Sequence, residues 1–162
     1  MKQSVICKIV FNLCLAAIPF ALAPAAHGQS CSPSGVAGAY AFHDTGYIIG
    51  AGGQPNQPRH AIARLTLTSA GRISGPVTAS LNGNVSRATL RGTFTVNANC
   101  TGTVSISEFD QSGNLVLNAT ADLIWDDNVE EIQFIFTSAT LPDGTPLPNV
   151  ISGTARRLAP MN

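Results

Sequence analysis

From Gly38 onward, apolar and polar residues alternate along the chain, and the alternation is interrupted at short intervals by Gly, Asn, Asp, Ser and Pro. A period of two puts one kind of residue on each face of an extended strand, and clustered turn-formers mark where each strand ends. No segment keeps the 3.6-residue period of an amphipathic helix. In the run from Leu90 to Val96, the residues Leu90, Gly92, Phe94 and Val96 share one side, opposite Arg91, Thr93 and Thr95. Ala61, Ala63, Leu65 and Leu67 share a side in the same way. So do Ile73, Gly75, Val77, Ala79 and Leu81; Leu115, Leu117, Ala119, Ala121, Leu123 and Trp125; and Ile132, Phe134 and Phe136.

The pattern predicts eight strands. The first runs from Gly38 to His43, resuming over Tyr47 to Gly50. The others are His60 to Thr68, Arg72 to Leu81, Ser86 to Val96, Thr101 to Phe109, Leu115 to Trp125, Glu131 to Thr137 and Asn149 to Arg157. Gly50 to Pro58 carries three glycines and two prolines in nine residues and is expected as a flexible loop. Gly75-Pro76 is expected as a bulge or edge irregularity. Asn82-Gly83 supplies the positive φ of a tight hairpin. Strands joined in series by tight turns make a meander, and eight twisted strands hide both edges by closing on themselves. The expected fold is therefore an all-β, eight-stranded antiparallel up-and-down barrel, with a two-sheet sandwich as the alternative.

The first 28 residues read differently. Lys2 and Lys8 precede an apolar stretch from Ile9 to Ala23, and Ala26-His27-Gly28 offers the small residues that a signal peptidase reads. The expectation is a cleaved signal peptide over 1–28 and a single domain over 29–162, placed outside the cytoplasm as a secreted or periplasmic protein. The apolar stretch is too short for a stable membrane span. A lipid anchor on Cys31 would want a small and an aliphatic residue just upstream, which Gly28-Gln29-Ser30 does not supply. Cys7 and Cys14 leave with the signal, so Cys31 and Cys100 remain. In an oxidising compartment two such thiols are expected to pair.

Lys2 and Lys8 leave too, so seven arginines face nine carboxylates, a net charge of −2 with histidine neutral. No basic face emerges, which argues against a nucleic-acid partner. His43 and His60 lie on predicted strands without further ligands in metal geometry, and no metal or other cofactor is expected. Asp126, Asp127, Glu130 and Glu131 form the densest acidic group and read as a solvated hairpin tip. Glu108 and Asp110 resemble a carboxylate pair at a strand end. No Gly-x-Ser-x-Gly elbow is present.

Gly38-Ala39-Tyr40-Ala41-Phe42, Gly71-Arg72-Ile73-Ser74-Gly75, the run from Gly92 to Thr103, Glu131-Ile132-Gln133-Phe134-Ile135 and Ile151-Ser152-Gly153-Thr154-Ala155-Arg156-Arg157 together resemble a group of secreted bacterial proteins. These look like small barrels of the lipocalin-like and allene-oxide-cyclase-like type. The resemblance implies a barrel fold and no particular reaction. Tyr40 stands where lipocalins carry a Gly-x-Trp signature, and no cyclase motif matches residue by residue.

Tyr40, Phe42, Phe94, Trp125, Phe134 and Phe136 are the aromatics expected to meet inside the barrel or at its mouth, where they would line a pocket for a small apolar ligand. Gly50 to Pro58 and Leu141 to Pro148 would form the rim. Three functions stay open. A non-catalytic binding module calls for an open apolar cavity. A cyclase or isomerase calls for an inward ionisable residue within apolar walls. A structural protein calls for a filled interior. Ile62, Val116, Ile124 and Ile135 fall on the outer face, where a subunit interface would use them, and the sequence leaves the oligomeric state open.

Overall fold

In a computed structural model, which describes residues 31–159, the chain forms a closed barrel of eight antiparallel strands in sequence order. The strands are β1 (Gly38–Ile49), β2 (Pro55–Leu67), β3 (Arg72–Leu81), β4 (Asn84–Phe94), β5 (Thr101–Phe109), β6 (Leu115–Trp125), β7 (Glu131–Thr140) and β8 (Asn149–Arg157). The seam is made by β8 returning to β1, with Tyr40 opposite Arg157 and Ile48 opposite Asn149. Closure removes the sandwich alternative. The expected signal peptide over 1–28 lies outside the described residues. Among the described residues no helix is long and apolar enough to cross a membrane, which says nothing of a barrel.

The inward face is the apolar one on every strand. Leu65, Leu67, Val77, Leu90, Phe94, Val104, Ile106, Ala121, Leu123, Ile132 and Ala155 are all buried. Between them stand outward Thr, Ser and Arg residues such as Arg64, Arg91, Thr93 and Thr103, all exposed.

Four expectations are corrected. First, β1 is one continuous strand. Second, β2 starts at Pro55, and only Ala51–Gly53 form a short turn of 3₁₀ helix. The prolines are tolerated because the β3 ladder begins only at Arg59. The carbonyl of Pro58 faces that side and accepts from the Asn82 N–H at 2.8 Å, so the missing proline N–H lies beyond the ladder. Third, β7 continues to Thr140 because a bulge absorbs one residue: Thr120 pairs with Ser138 and Ala121 with Phe136. The bulge shifts the parity, so Phe136 and then Ala139 both point inward. Fourth, Gly75-Pro76 is no bulge. Its register with β4 is unbroken, while the ladder to β2 pauses between Val77 and Ser74. A Cβ at Gly75 would collide with the Arg64 carbonyl, so glycine permits the close approach of β2 there.

The two ends of the barrel differ. One is sealed by the segment leading into β1. Val36 is fully buried, and the Tyr40 hydroxyl donates to its carbonyl at 2.9 Å. Arg157 Nη2 donates to the Gly35 carbonyl at 2.7 Å and to the Tyr40 hydroxyl at 3.0 Å, while Nε donates to the Val129 carbonyl at 3.2 Å. Cys31 and Cys100 form a disulfide with their Cα atoms 5.0 Å apart, fastening this segment to the β4–β5 turn. The other end carries the β1–β2, β3–β4 and β5–β6 turns and the 141–148 loop, and among the described residues no such segment crosses it.

Closing a loop of about 70 residues restricts the unfolded chain by roughly 4 kcal/mol. Replacing both Cys31 and Cys100 by Ser is therefore expected to lower the unfolding free energy by about 2–4 kcal/mol. Urea unfolding would register this as a lower extrapolated free energy, with a steeper slope because the uncrosslinked unfolded chain exposes more surface; an unchanged free energy would contradict it.

Candidate functional site

Among the described residues, three charged side chains are buried inside the barrel. Asp44 on β1 is fully buried, Arg59 on β2 is 8% exposed and Glu108 on β5 is 6% exposed. Each follows from strand parity. Asp44 continues the Tyr40, Phe42 series, Arg59 precedes the Ala61, Ala63, Leu65 series, and Glu108 follows Val104 and Ile106. Arg59 Nη2 stands 3.2 Å from Asp44 Oδ2 and 3.6 Å from Glu108 Oε1. One guanidinium nitrogen thus serves two carboxylates. Asp44 Oδ1 and Arg59 Nε are buried with no hydrogen-bond partner. Burial pushes the Glu108 pKa up from its ordinary value near 4.5; the Arg59 charge opposes this and Asp44 adds to it.

Toward the open end, Arg59 and Glu108 border a cavity of about 320 Å³. Its walls are mainly aliphatic, among them Ile48, Leu81, Leu117, Leu147 and Ile151, with Phe136 and Ala139 below. The 141–148 loop flanks it. That loop is fixed to both neighbours, since Leu147 N–H donates to the Ala139 carbonyl at 2.8 Å and Ile49 N–H donates to the Pro148 carbonyl at 2.7 Å. Of the other expected rim, Gln57 reaches the cavity from β2.

The six aromatics named from the sequence divide. Tyr40, Phe42, Phe94, Phe134 and Phe136 surround a small apolar space of about 40 Å³ deeper in the barrel. Phe42 stacks on Phe134 at 4.9 Å, and Phe136 meets Phe134 edge-on at 5.8 Å. This half is nearly filled by its own side chains. Of the six, Phe136 alone also reaches the larger cavity. Tyr40 is held by the sealing segment, where burial raises its pKa against the lowering effect of Arg157. Trp125 packs beside Phe94 at 6.5 Å and borders neither interior space.

Other candidates sit elsewhere. His43 and His60 are exposed on the outer face. Asp110 turns away from Glu108: its Oδ1 accepts from the Ser112 and Asn114 N–H groups, at 2.9 and 2.8 Å. Asp126 Oδ1 accepts from the Glu130 and Glu131 N–H groups within the β6–β7 turn. Asp44 and Arg59 are not among the candidates that the sequence pattern singles out. Continuing the inward parity one step past the expected strand limits would have found both.

No family model matches this chain, and no curated protein matches it. Among solved structures it is similar to a redesigned β-barrel, mFAP1, bound to DFHBI. That likeness has 15% identity and a TM-score of 0.48, and covers 79% of this chain and 100% of that one. It is also similar to a fluorescence-activating β-barrel designed de novo, with 13% identity and a TM-score of 0.43, covering 75% of this chain and 93% of that one.

A carboxyl whose folded pKa lies above its unfolded value holds its proton more tightly in the folded state, so stability falls as pH rises between the two. For Glu108 that fall begins near pH 4.5 and is complete above the raised folded value. Glu108→Gln removes it. The stability of the variant relative to the parent is therefore expected to grow as pH rises from about 4 and then to level off. Urea unfolding of both proteins across pH checks this, and a pH-independent difference would refute it.

Proposed function

We propose that this chain is an exported β-barrel module that holds a small, largely apolar molecule in its open end. One observation carries the reading: a cavity of about 320 Å³ with mainly aliphatic walls lies at the unsealed end, while the sealed end is packed almost solid. A volume near 300 Å³ falls at the lower limit of small-molecule sites, which favours a compact ligand. It also weighs against a purely structural role, for which the whole interior would be filled. Export is supported by the disulfide and by the signal-like composition of residues 1–28. An apolar interior with a hydroxyl- and arginine-bearing exterior is the reverse of a membrane-spanning barrel. Kinship with lipocalin-like or allene-oxide-cyclase-like barrels belongs to this proposal and rests on the sequence resemblance.

Filling the cavity tests the reading. Ala139→Phe, with Ile62→Phe on the exposed outer face as a control, is expected to abolish retention of co-purifying or added apolar molecules in native mass spectrometry. The control retains them. Equal retention by both variants would overturn the reading.

A second reading is favoured by Glu108. It is an ionisable group at the wall of an apolar cavity, with its pKa raised toward the range in which a carboxyl gives and takes protons. On this reading the barrel is an isomerase or cyclase, and Glu108 moves a proton on the bound molecule. A molecule recovered after incubation in heavy water is then expected to carry deuterium at carbon, and Glu108→Gln to prevent it. Binding without any exchange would leave the module non-catalytic.

A further inference from the structure

We propose that the open-end cavity selects an amphipathic cation: a compact apolar body carrying one protonated amine, with the ammonium seated beside Glu108. This rests on the reading that the open end holds a small molecule, and it names the chemical class of that molecule.

Charge inside the barrel does not balance. Asp44 from β1 and Glu108 from β5 place two carboxylates in the interior, and Arg59 from β2 brings one positive charge. Every other cation among the described residues stands elsewhere. Arg64, Arg72, Arg87, Arg91 and Arg156 are exposed on the outside, as are His43 and His60. Arg157 is engaged at the sealed end. With both carboxylates ionised, the interior holds one negative charge in excess. An uncompensated buried charge is costly, and a site relieves it by taking up a proton or an opposite charge.

The two carboxylates differ in their distance from Arg59 and in their access to the cavity. Arg59 is within hydrogen-bonding reach of Asp44 at 3.2 Å. Glu108, only 6% exposed, has Arg59 at 3.6 Å and no other partner among the described residues. Asp44 does not border the cavity, whereas Glu108 does. The carboxylate farther from Arg59 is thus the one a ligand meets on entering. An ammonium there would complete two positive charges against two negative ones, and its N–H groups would supply the donors that Glu108 lacks. Ile48, Leu117, Leu147 and Ile151 would enclose the apolar body. A carboxylate ligand would instead bring a third anion to a guanidinium already shared by two.

Octylamine, octanol and octanoate separate the possibilities, because they share one chain and differ in the head group. Titration calorimetry of the disulfide-intact mature protein at pH 7 is expected to show octylammonium binding about tenfold or more tighter than octanol, the range of a charge-assisted hydrogen bond. Octanoate should bind weakest. Glu108→Gln should remove the amine's advantage, bringing its affinity to that of octanol measured on the same variant. A second measurement needs no variant: at pH values above the ordinary carboxyl value near 4.5 where Glu108 still holds its proton, amine binding should release protons as the ammonium replaces the Glu108 proton. Heats measured in buffers of different ionisation enthalpy report that release. Equal affinity for amine and alcohol, or a preference for octanoate, would overturn the proposal and leave the binding reading standing. Failure of all three to bind would overturn both.

Discussion

Closure of β8 onto β1 is the constraint on which the molecule depends. With that seam made, no edge is left to pair with another chain, and one face of each strand has only the interior to occupy. Gly153 shows how tight the seam is. It lies opposite Asp44 on β1 and Phe134 on β7, and a Cβ there would run into the His43 carbonyl and sit 2.7 Å from Phe134 Cζ. The Phe134 ring occupies the space a side chain would otherwise fill and stacks on Phe42 across it. Glycine at the seam and aromatic rings over it are therefore one packing solution.

Closure also sets the electrostatics. A closed cylinder leaves an inward charge nowhere to turn except along the axis. Asp44, Arg59 and Glu108 come from three strands, and they meet because β1, β2 and β5 all present inward positions at the same level. Desolvating them costs several kcal/mol for each ion, and only part of that returns through pairing. The unpaired Asp44 Oδ1 and Arg59 Nε mark where the return is incomplete. Replacing such a buried group by well-packed aliphatic residues is often neutral or stabilising, so the triad is weak evidence for stability.

Much of the fold was legible in the sequence, because alternation and turn chemistry are local signals. The limits of β3, β5, β6 and β8 follow directly from Arg72, Leu81, Thr101, Phe109, Leu115, Trp125, Asn149 and Arg157. The misread boundaries have tertiary causes. Pro55 and Pro58 join β2 because β3 does not extend beside them, and β7 runs past Thr137 because a bulge resets its parity. The disulfide was legible from compartment and cysteine count. The site was legible in part. The aromatics do gather inside, but mostly in the filled half, whereas Arg59 was hidden by a strand limit set one residue late. Which rings fill space and which border a void depends on how one end of the cylinder is plugged, and no residue pattern within a single strand encodes that.

The plug has a geometric consequence. Cys31 and Leu158 both lie at the sealed base, the first bound to Cys100 and the second donating its N–H to the Ala39 carbonyl at 2.8 Å. The polypeptide therefore enters and leaves the cylinder on the side away from the cavity. A tether or surface joined to the chain at Cys31 or Leu158 would sit at the sealed base, leaving the opposite pole unobstructed.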